Sequence, residues 1–258
     1  MKLYLMLIKN KFLSNFAYRV DLYLRIIFQT IVLFIQIPLW RAVLGENTVE
    51  YKEMITYVVI STLISSITAT GVIEKINQKI RTGELAMDLI KPMNFTSYIF
   101  CDNIGDNLFK LIFEVVPVMC VGVVLFGVSG PQNNTSLLFI ISTLLAFLLN
   151  FLISLTLGFV AFWYLSVWHL ARLLEDMIKL FGGAVIPLWY FPDVLYNIAN
   201  FLPFKYIFYV PISIYLGKYS VNKSVVLVVE QIIWCIVISL ISCLVWKKGK
   251  NKIVIQGG

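Results

Sequence analysis

The chain has 258 residues, of which 60% are hydrophobic and 14% are charged, and its mean hydropathy is +0.87. Soluble domains are roughly one quarter charged, so this composition excludes an ordinary soluble domain and indicates a protein embedded in lipid. The formal net charge of +7 fits cytoplasmic loops that collect Lys and Arg. We expect no nucleic acid as a partner, because no basic patch interleaved with aromatic residues is present.

Six apolar stretches are long enough to cross a membrane, since about 20 apolar residues span a hydrocarbon core of about 30 Å. The connections between them leave no room for a separate soluble domain. The sequence therefore predicts an all-α membrane protein with six transmembrane helices in a single transmembrane domain over residues 1–258. The predicted spans are 22–44, 54–73, 104–128, 137–164, 169–190 and 225–246.

An amphipathic helix that lies in the membrane interface is predicted for residues 5–20, before the first span. Ser14 and Tyr18 belong to a polar face that recurs at three- and four-residue steps, and Phe12 and Phe16 lie on the opposite face. Neighbouring lysines can contact lipid phosphates. The alternative is an ordinary helical extension of the first span.

The second span carries small and hydroxyl residues at four-residue spacing, which lets two helix backbones approach closely. These residues either pack helices together or line a polar path. They are Ser61, Thr62, Ser65, Ser66 and Thr70. In the fourth span, Asn150 is the one strongly polar interior residue, and we expect it to hydrogen-bond to another helix.

The longest charged interruption between two apolar stretches is the coupling segment, residues 74–92, with the sequence EKINQKIRTGELAMDLIKP. Helical spacing predicts that the second span extends to about Ile80 and that Gly83 ends it with a left-handed residue. A short helix is predicted over 84–90, and Pro92 stops it. Exposed Leu alternating with charge favours docking of a soluble partner, although a plain solvated loop is the alternative.

The third long helix is predicted to begin near Thr96 and to place four ionisable residues on one face. Asp102, Asp106, Lys110 and Glu114 follow at every fourth position. Lys110 and Glu114 are predicted to form an intramembrane ion pair, and Asp106 can also reach Lys110. Because ionisable groups at membrane depth are costly, this face either joins helices or relays ions.

A Gly/Pro-rich region over residues 187–217 precedes the last span. Backbone polar groups cannot stay unpaired in lipid, so the sequence predicts re-entrant or interfacial short helices on the outer side. The glycines and prolines that interrupt the chain here, or just before this region, are Gly182, Gly183, Pro187, Pro192, Pro203 and Pro211.

The distribution of cations predicts the orientation of the chain. Sixteen of the 21 Lys and Arg residues lie on the side of the two termini, and the positive-inside rule assigns that side to the cytoplasm. The five on the other side are Arg41, Lys52, Lys205, Lys218 and Lys223.

The sequence contains no G-x-x-x-x-G-K-[ST], G-x-S-x-G or H-E-x-x-H pattern. We therefore expect no catalytic residues, no metal site and no cofactor bound by this chain, and we do not expect it to be an enzyme.

Two motifs resemble a known family, the permease subunits of type-2 ABC exporters, whose six-span fold is shared with subfamily G. IRTGELAMDLIKP, residues 80–92, is similar to their cytoplasmic coupling-helix segment. GGAVIPLWYFPD with the following FLPFKY and VPISIYLGK, within 182–218, is similar to their outer Gly/Pro-rich region. The resemblance extends over nearly the whole chain in the order of the spans.

The resemblance implies a multi-pass protein of a bacterial plasma membrane that pairs with a second permease subunit, identical or a sister chain. Two separate ATPase subunits, which bind ATP and Mg²⁺, would dock on the coupling segment. The implied docking residues are Arg81, Gly83, Glu84, Leu85, Asp88, Leu89, Lys91 and Pro92. The implied pathway or dimer-interface residues are Ser61, Thr62, Ser65, Ser66, Thr70, Gly182, Gly183 and Pro187.

Two other functions are compatible with the sequence. One is an ion-coupled transporter or channel that works without an ATPase, for which Lys110 and Glu114 would be the ionisable groups. The other is a noncatalytic membrane scaffold or immunity protein.

Overall fold

The structure is a computed structural model that describes residues 2–45, 48–128, 130–131, 135–164 and 167–252. Every secondary-structure element in these ranges is helical, which confirms the predicted all-α class. A π-helix (Leu111–Val115) joins α6 to α7, and 3₁₀ turns occupy Asn15–Tyr18, Leu188–Tyr190 and Pro203–Tyr206. The α-helices are α1 (Lys2–Ser14), α2 (Arg19–Leu44), α3 (Val49–Thr68), α4 (Val72–Arg81), α5 (Glu84–Ile90), α6 (Phe95–Lys110), α7 (Val116–Phe126), α8 (Ser136–Val160), α9 (Trp168–Phe181), α10 (Asp193–Phe201), α11 (Tyr209–Tyr215) and α12 (Val221–Lys250).

Within the described ranges, five helical runs are long and apolar enough to cross a membrane. Five of the six predicted spans fall on these runs, and only the fifth span, 169–190, does not. The runs are Lys2–Leu44, Val49–Arg81, Phe95–Phe126, Ser136–Val160 and Val221–Lys250.

The prediction of one continuous helix over 169–190 is wrong. α9 has 14 residues and is therefore about 21 Å long at 1.5 Å per residue, shorter than a hydrocarbon core of about 30 Å. Gly183 has a φ of +78° just after Phe181, the last residue of α9, a conformation that ends a helix and that glycine adopts without steric cost. Pro187 then leads into a 3₁₀ turn.

The second span is also interrupted, between Thr68 and Val72. Asn150 Nδ2 donates to the carbonyl of Thr68 at 2.7 Å, and Lys110 Nζ donates to the carbonyl of Ala69 at 3.1 Å. A broken helix is tolerated at membrane depth where neighbouring groups bind the freed backbone carbonyls. The break separates α3 from α4, the arm that leads into the coupling segment.

The coupling segment and the Gly/Pro-rich region lie at opposite ends of the bundle. At one end Phe95, which begins α6, stacks on Trp246 near the end of α12 with ring centroids 5.2 Å apart. At the other end Lys218, before α12, forms an ion pair with Glu53 near the start of α3. Residues 182–217 therefore belong to the end where α3 and α12 begin.

Short helices make up the Gly/Pro-rich region, and the innermost of them is enclosed by protein. All seven residues of α11 are buried. Tyr206 donates its hydroxyl to Glu230 at 2.7 Å, and its carbonyl accepts from Gln231 Nε2 at 2.9 Å. Enclosure by neighbouring helices and side-chain hydrogen bonds is the condition under which irregular backbone survives in a membrane protein.

The N-terminal helix α1 packs lengthwise against α6. Phe12 of α1 and Phe16 of the 3₁₀ turn after it belong to the predicted apolar face. Their ring centroids lie 5.6 Å and 5.1 Å from that of Phe109. The backbones approach most closely at Gly105, where a Cβ atom would lie only 2.6 Å from the carbonyl oxygen of Ile8. This face therefore contacts protein, and α1 is anchored to the third helical run.

The close approach at Gly105 generates a testable prediction. Gly105→Ala is expected to lower the free energy of unfolding by about 1–3 kcal/mol, because overpacking forces two helices apart. Gly71→Ala is the matched control, since nothing lies within 4 Å of its Cβ position. Unfolding by titration with sodium dodecyl sulfate measures both variants, and equal stability would contradict the contact between α1 and α6.

Candidate functional site

The backbone of the coupling segment follows the pattern that the sequence predicted. α4 ends at Arg81, Gly83 adopts a φ of +77°, and α5 follows at once. A Cβ atom at Gly83 would meet nothing within 4 Å, so the left-handed backbone rather than space requires glycine there. Lys91 is extended before Pro92 and ends α5.

Asp88 holds α5 against the rest of the chain. Its side chain is 6% exposed, and both Lys79 Nζ and Lys91 Nζ lie 2.6 Å from its carboxylate oxygens. Burial raises the pKa of Asp88, but the hydrogen bonds from the two lysines outweigh burial and hold the pKa below its usual value. A depressed pKa contributes stability above the unfolded value of about 3.9, which is lost as the pH falls through the folded value. The contact is therefore intact at neutral pH.

Tyr98 of α6 forms a common contact surface for the lysines of this region. The ammonium groups of Lys75, Lys79 and Lys91 lie 5.3, 5.6 and 5.6 Å from its ring centroid, within the range of cation–π attraction. Lys75 also forms an ion pair with Asp102 at 2.5 Å. α4, α5 and the start of α6 are thus connected into one unit.

The structure changes which residues of the coupling segment can meet a partner. Leu85 and Asp88 were expected to dock, but both are buried against the chain itself, because positions three apart share one face of α5. The opposite face exposes Met87 and Ile90, which are 67% and 79% accessible, with Leu89 beside them. The exposed members of the predicted docking set are Arg81, Gly83, Glu84, Leu89, Lys91 and Pro92.

Met87 and Ile90 were missing from the predicted set. Their three-residue spacing places them on one face of a helix. A helix of only seven residues has too short a pattern to predict which of its faces packs against the rest of the protein. The partner that decides it, Lys79, lies nine positions before Asp88.

A polar cavity of about 590 Å³ lies between α2, α3, the π-helix and the end of α9. Four of the five hydroxyl residues predicted for the pathway line it, and they are Ser61, Thr62, Ser65 and Ser66. Thr70 lies in an adjoining cavity of about 180 Å³, where it donates its hydroxyl to Ser154 at 2.9 Å. The structure thus brings the predicted polar face of the second span to one connected site.

Gly182, Gly183 and Pro187 are buried beside this cavity and do not line it. The Tyr57 hydroxyl donates to the carbonyl of Gly183 at 2.5 Å. These residues shape the turn that follows α9, and the next residues of that turn, Ala184 and Val185, form part of the cavity wall.

The predicted ion pair between Lys110 and Glu114 is not formed. Lys110 Nζ lies 3.1 Å from Asp106, whereas Glu114 binds Arg25 Nε of α2 at 3.1 Å. The reason is the π-helix Leu111–Val115, which has more residues per turn than an α-helix. Glu114, four positions after Lys110, is therefore rotated away from the face that carries Lys110.

Glu114 is instead the centre of a hydrogen-bonded cluster that joins three helical runs. Its side chain is 2% exposed. Gln29 of α2 donates to it and also to the Ser66 hydroxyl at 2.7 Å. Arg25, which is 38% exposed, also binds Asp21 at 2.5 Å. No periodicity indicates this cluster, because Arg25 and Glu114 are 89 positions apart.

The family described as ABC-2 family transporter protein matches residues 19–257. The chain belongs to this family. A search of curated proteins found no match. The ABC-2 match and the apolar helices identify a multi-pass membrane protein and the permease component of an ABC transporter, as the sequence predicted. Permeases of this kind work with an ATPase in general, and the family is generally not catalytic.

Asp88→Asn is expected to loosen α5 in this ABC-2 chain. The substitution keeps the shape of the side chain but leaves two lysines without their counter-charge, so amides 84–90 should exchange with solvent about tenfold faster. Glu84→Gln is the control, because Glu84 is 58% exposed and 3.9 Å from Lys79. Hydrogen exchange with mass spectrometry makes the comparison, and equal exchange in both variants would contradict a holding role for Asp88.

Arg25 and Glu114 are expected to be energetically coupled. Arg25→Gln leaves a buried carboxylate without its cation, and Glu114→Gln in the same chain should remove most of that cost. The double-mutant cycle should give an interaction free energy on the order of 1–2 kcal/mol. Unfolding titrations of the wild type and three variants measure it, and additive effects would show that the two side chains act independently.

Proposed function

We propose that this ABC-2 chain forms the membrane pathway of an ATP-driven exporter, as a dimer with an identical or sister permease. Two separate ATPase subunits, which bind ATP and Mg²⁺, dock on the coupling segment. The observation that carries the proposal is the exposed apolar face of α5. Met87 and Ile90 project from a helix whose other face is fixed to the chain by Asp88.

Exposed apolar side chains on a fixed helix are typical of interaction sites, because soluble surfaces rarely present them together without a partner. The charged residues Arg81 and Glu84 flank this face. A helix that presents an apolar centre with a charged rim fits a groove on a soluble protein.

A path of contacts supports transmission from α5 to the polar cavity. Asp88 connects α5 to Lys79 of α4. α4 connects to α3 through the break whose carbonyls bind Asn150 and Lys110. α3 then lines the cavity with Ser65. Movement of α5 by an ATPase would reach the cavity through α4, a mode typical of coupled conformational change.

The orientation follows from the cation count and from the two ends of the bundle. The positive-inside rule supports a cytoplasmic location for both termini and for the coupling segment in a bacterial plasma membrane. Residues 182–217 then lie on the outer side as a re-entrant region. The chain crosses six times, with α9 and the turn after it completing the fifth crossing.

The Glu114 cluster favours a permease over an ion-coupled transporter. A relay carboxylate must be able to gain and lose its ion, whereas Glu114 already accepts hydrogen bonds from Arg25 and Gln29. Its role is therefore to join helices.

Substitutions on the exposed face of α5 test the docking proposal. Met87→Asp and Ile90→Asp are each expected to lower association with the ATPase at least tenfold, because a charge replaces an apolar contact at the interface centre. Val194→Asp is the control, since Val194 is 71% exposed on α10 at the other end of the bundle. Co-purification with the partner ATPase from cells that express both proteins measures the effect.

The same co-purified preparations are reconstituted in liposomes, and their rate of ATP hydrolysis is measured. This rate should fall together with the association of the ATPase. Size-exclusion profiles that match the wild type show that the variants are folded. Association and turnover that equal those of Val194→Asp would overturn the docking proposal.

A further inference from the structure

The polar cavity between α2, α3 and α9 combines cationic side chains with hydroxyl and amide groups, which both donate and accept hydrogen bonds. Lys179 and Arg25 both line it with accessible cationic groups. Glu114 is the one carboxylate among the described lining residues, and it is buried under Arg25 and Gln29. The accessible charge in the cavity is therefore positive.

Of the two lining cations, Lys179 is the one that forms no ion pair within the described residues. Arg25 is neutralised by Glu114 and, at the rim, by Asp21. Lys179 forms no ion pair with any residue that the structure describes, and Glu175, one turn before it on α9, pairs with Arg172. A cation on the wall of a membrane protein cavity is costly to keep and is a mark of a functional site.

Two further polar groups in the cavity lack a partner within the described chain. Gln36 of α2 and Ser65 of α3 line it, and neither side chain hydrogen-bonds to another described residue. Phe28 and Val32 supply an apolar wall beside them. The cavity thus combines a cation, free polar groups and an apolar surface.

We propose that this cavity binds an amphipathic anion, in which a phosphate or carboxylate group contacts Lys179 and an apolar body lies along α2. The inference rests on the proposed function, since the cavity is taken as part of the transport path. Two sources supply an anionic group joined to an apolar body. One is a lipid with an anionic headgroup, and the other is a free amphipathic molecule.

The binding test uses the purified full-length chain in nanodiscs of neutral phosphatidylcholine, without the ATPase. Octyl phosphate and octyltrimethylammonium share an apolar chain and carry opposite charges. Titration calorimetry, with empty nanodiscs subtracted, is expected to give saturable binding of octyl phosphate at least tenfold tighter than that of the cation.

Lys179→Gln is expected to weaken binding of octyl phosphate about tenfold, because a charge-assisted hydrogen bond is lost. Binding of octyltrimethylammonium should not weaken, because the substitution removes a like charge. Lys52→Gln is the control, because Lys52 is an exposed cation at the start of α3 and lies outside the cavity. Lys179 is exposed and has no ion pair in the described part of the chain, so its variant should fold like the wild type.

Nanodiscs that contain phosphatidylglycerol distinguish the two sources of the anion. If phosphatidylglycerol competes with octyl phosphate, and the competition disappears in Lys179→Gln, the anion is a lipid headgroup. If phosphatidylglycerol does not compete, the anion is a free amphipathic molecule. Both results support an anion site.

Equal binding of the two probes, or equal effects of Lys179→Gln and Lys52→Gln, would overturn the proposal. These outcomes concern the chain alone. They leave the docking of the ATPase on Met87 and Ile90 to be judged by its own experiment.

Discussion

The structure depends on one constraint, that a backbone carbonyl freed inside a membrane protein must find another donor. The break after Thr68 is possible because Asn150 and Lys110 supply donors from two other helical runs. The turn after α9 is possible because Tyr57 donates to Gly183. Both interruptions adjoin the polar cavities, so the side chains that satisfy the backbone also fix the walls of the candidate path.

This constraint gives the charged residues at depth a structural role. Lys110 binds a carbonyl and Asp106 at the same time, and Glu114 gathers donors from α2. Each charge is paired, which is the condition under which ionisable groups persist away from water. Lys179 is the exception among the cavity residues, since it forms no ion pair with any residue that the structure describes, and such a cation is a reason to look for a ligand rather than a helix contact.

Local chemistry made much of the coupling segment predictable from sequence. Gly83 and Pro92 act on their own neighbours, and Asn94 begins α6 by accepting from the amides of Thr96 and Ser97. The face of α5 that remains exposed was not predictable, since it depends on a lysine from another helix. The same holds for the Arg25 and Glu114 contact, where the distance along the chain leaves no periodic trace and a π-helix changes the register.

The length of α9 has a consequence for how the parts can move. A 14-residue helix that ends at buried glycines is joined to α11 by a hydrogen bond from the Tyr209 amide to the Gly182 carbonyl. α11 is enclosed by protein, so α9 is held at its outer end. Lys179, less than one turn from that fixed end, would move little. α4 adjoins the break at the end of α3 and packs on α6 through Lys75 and on α8 through Ile76. Movement of α4 would therefore displace the end of α3, which lines the cavity, relative to the wall that carries Lys179.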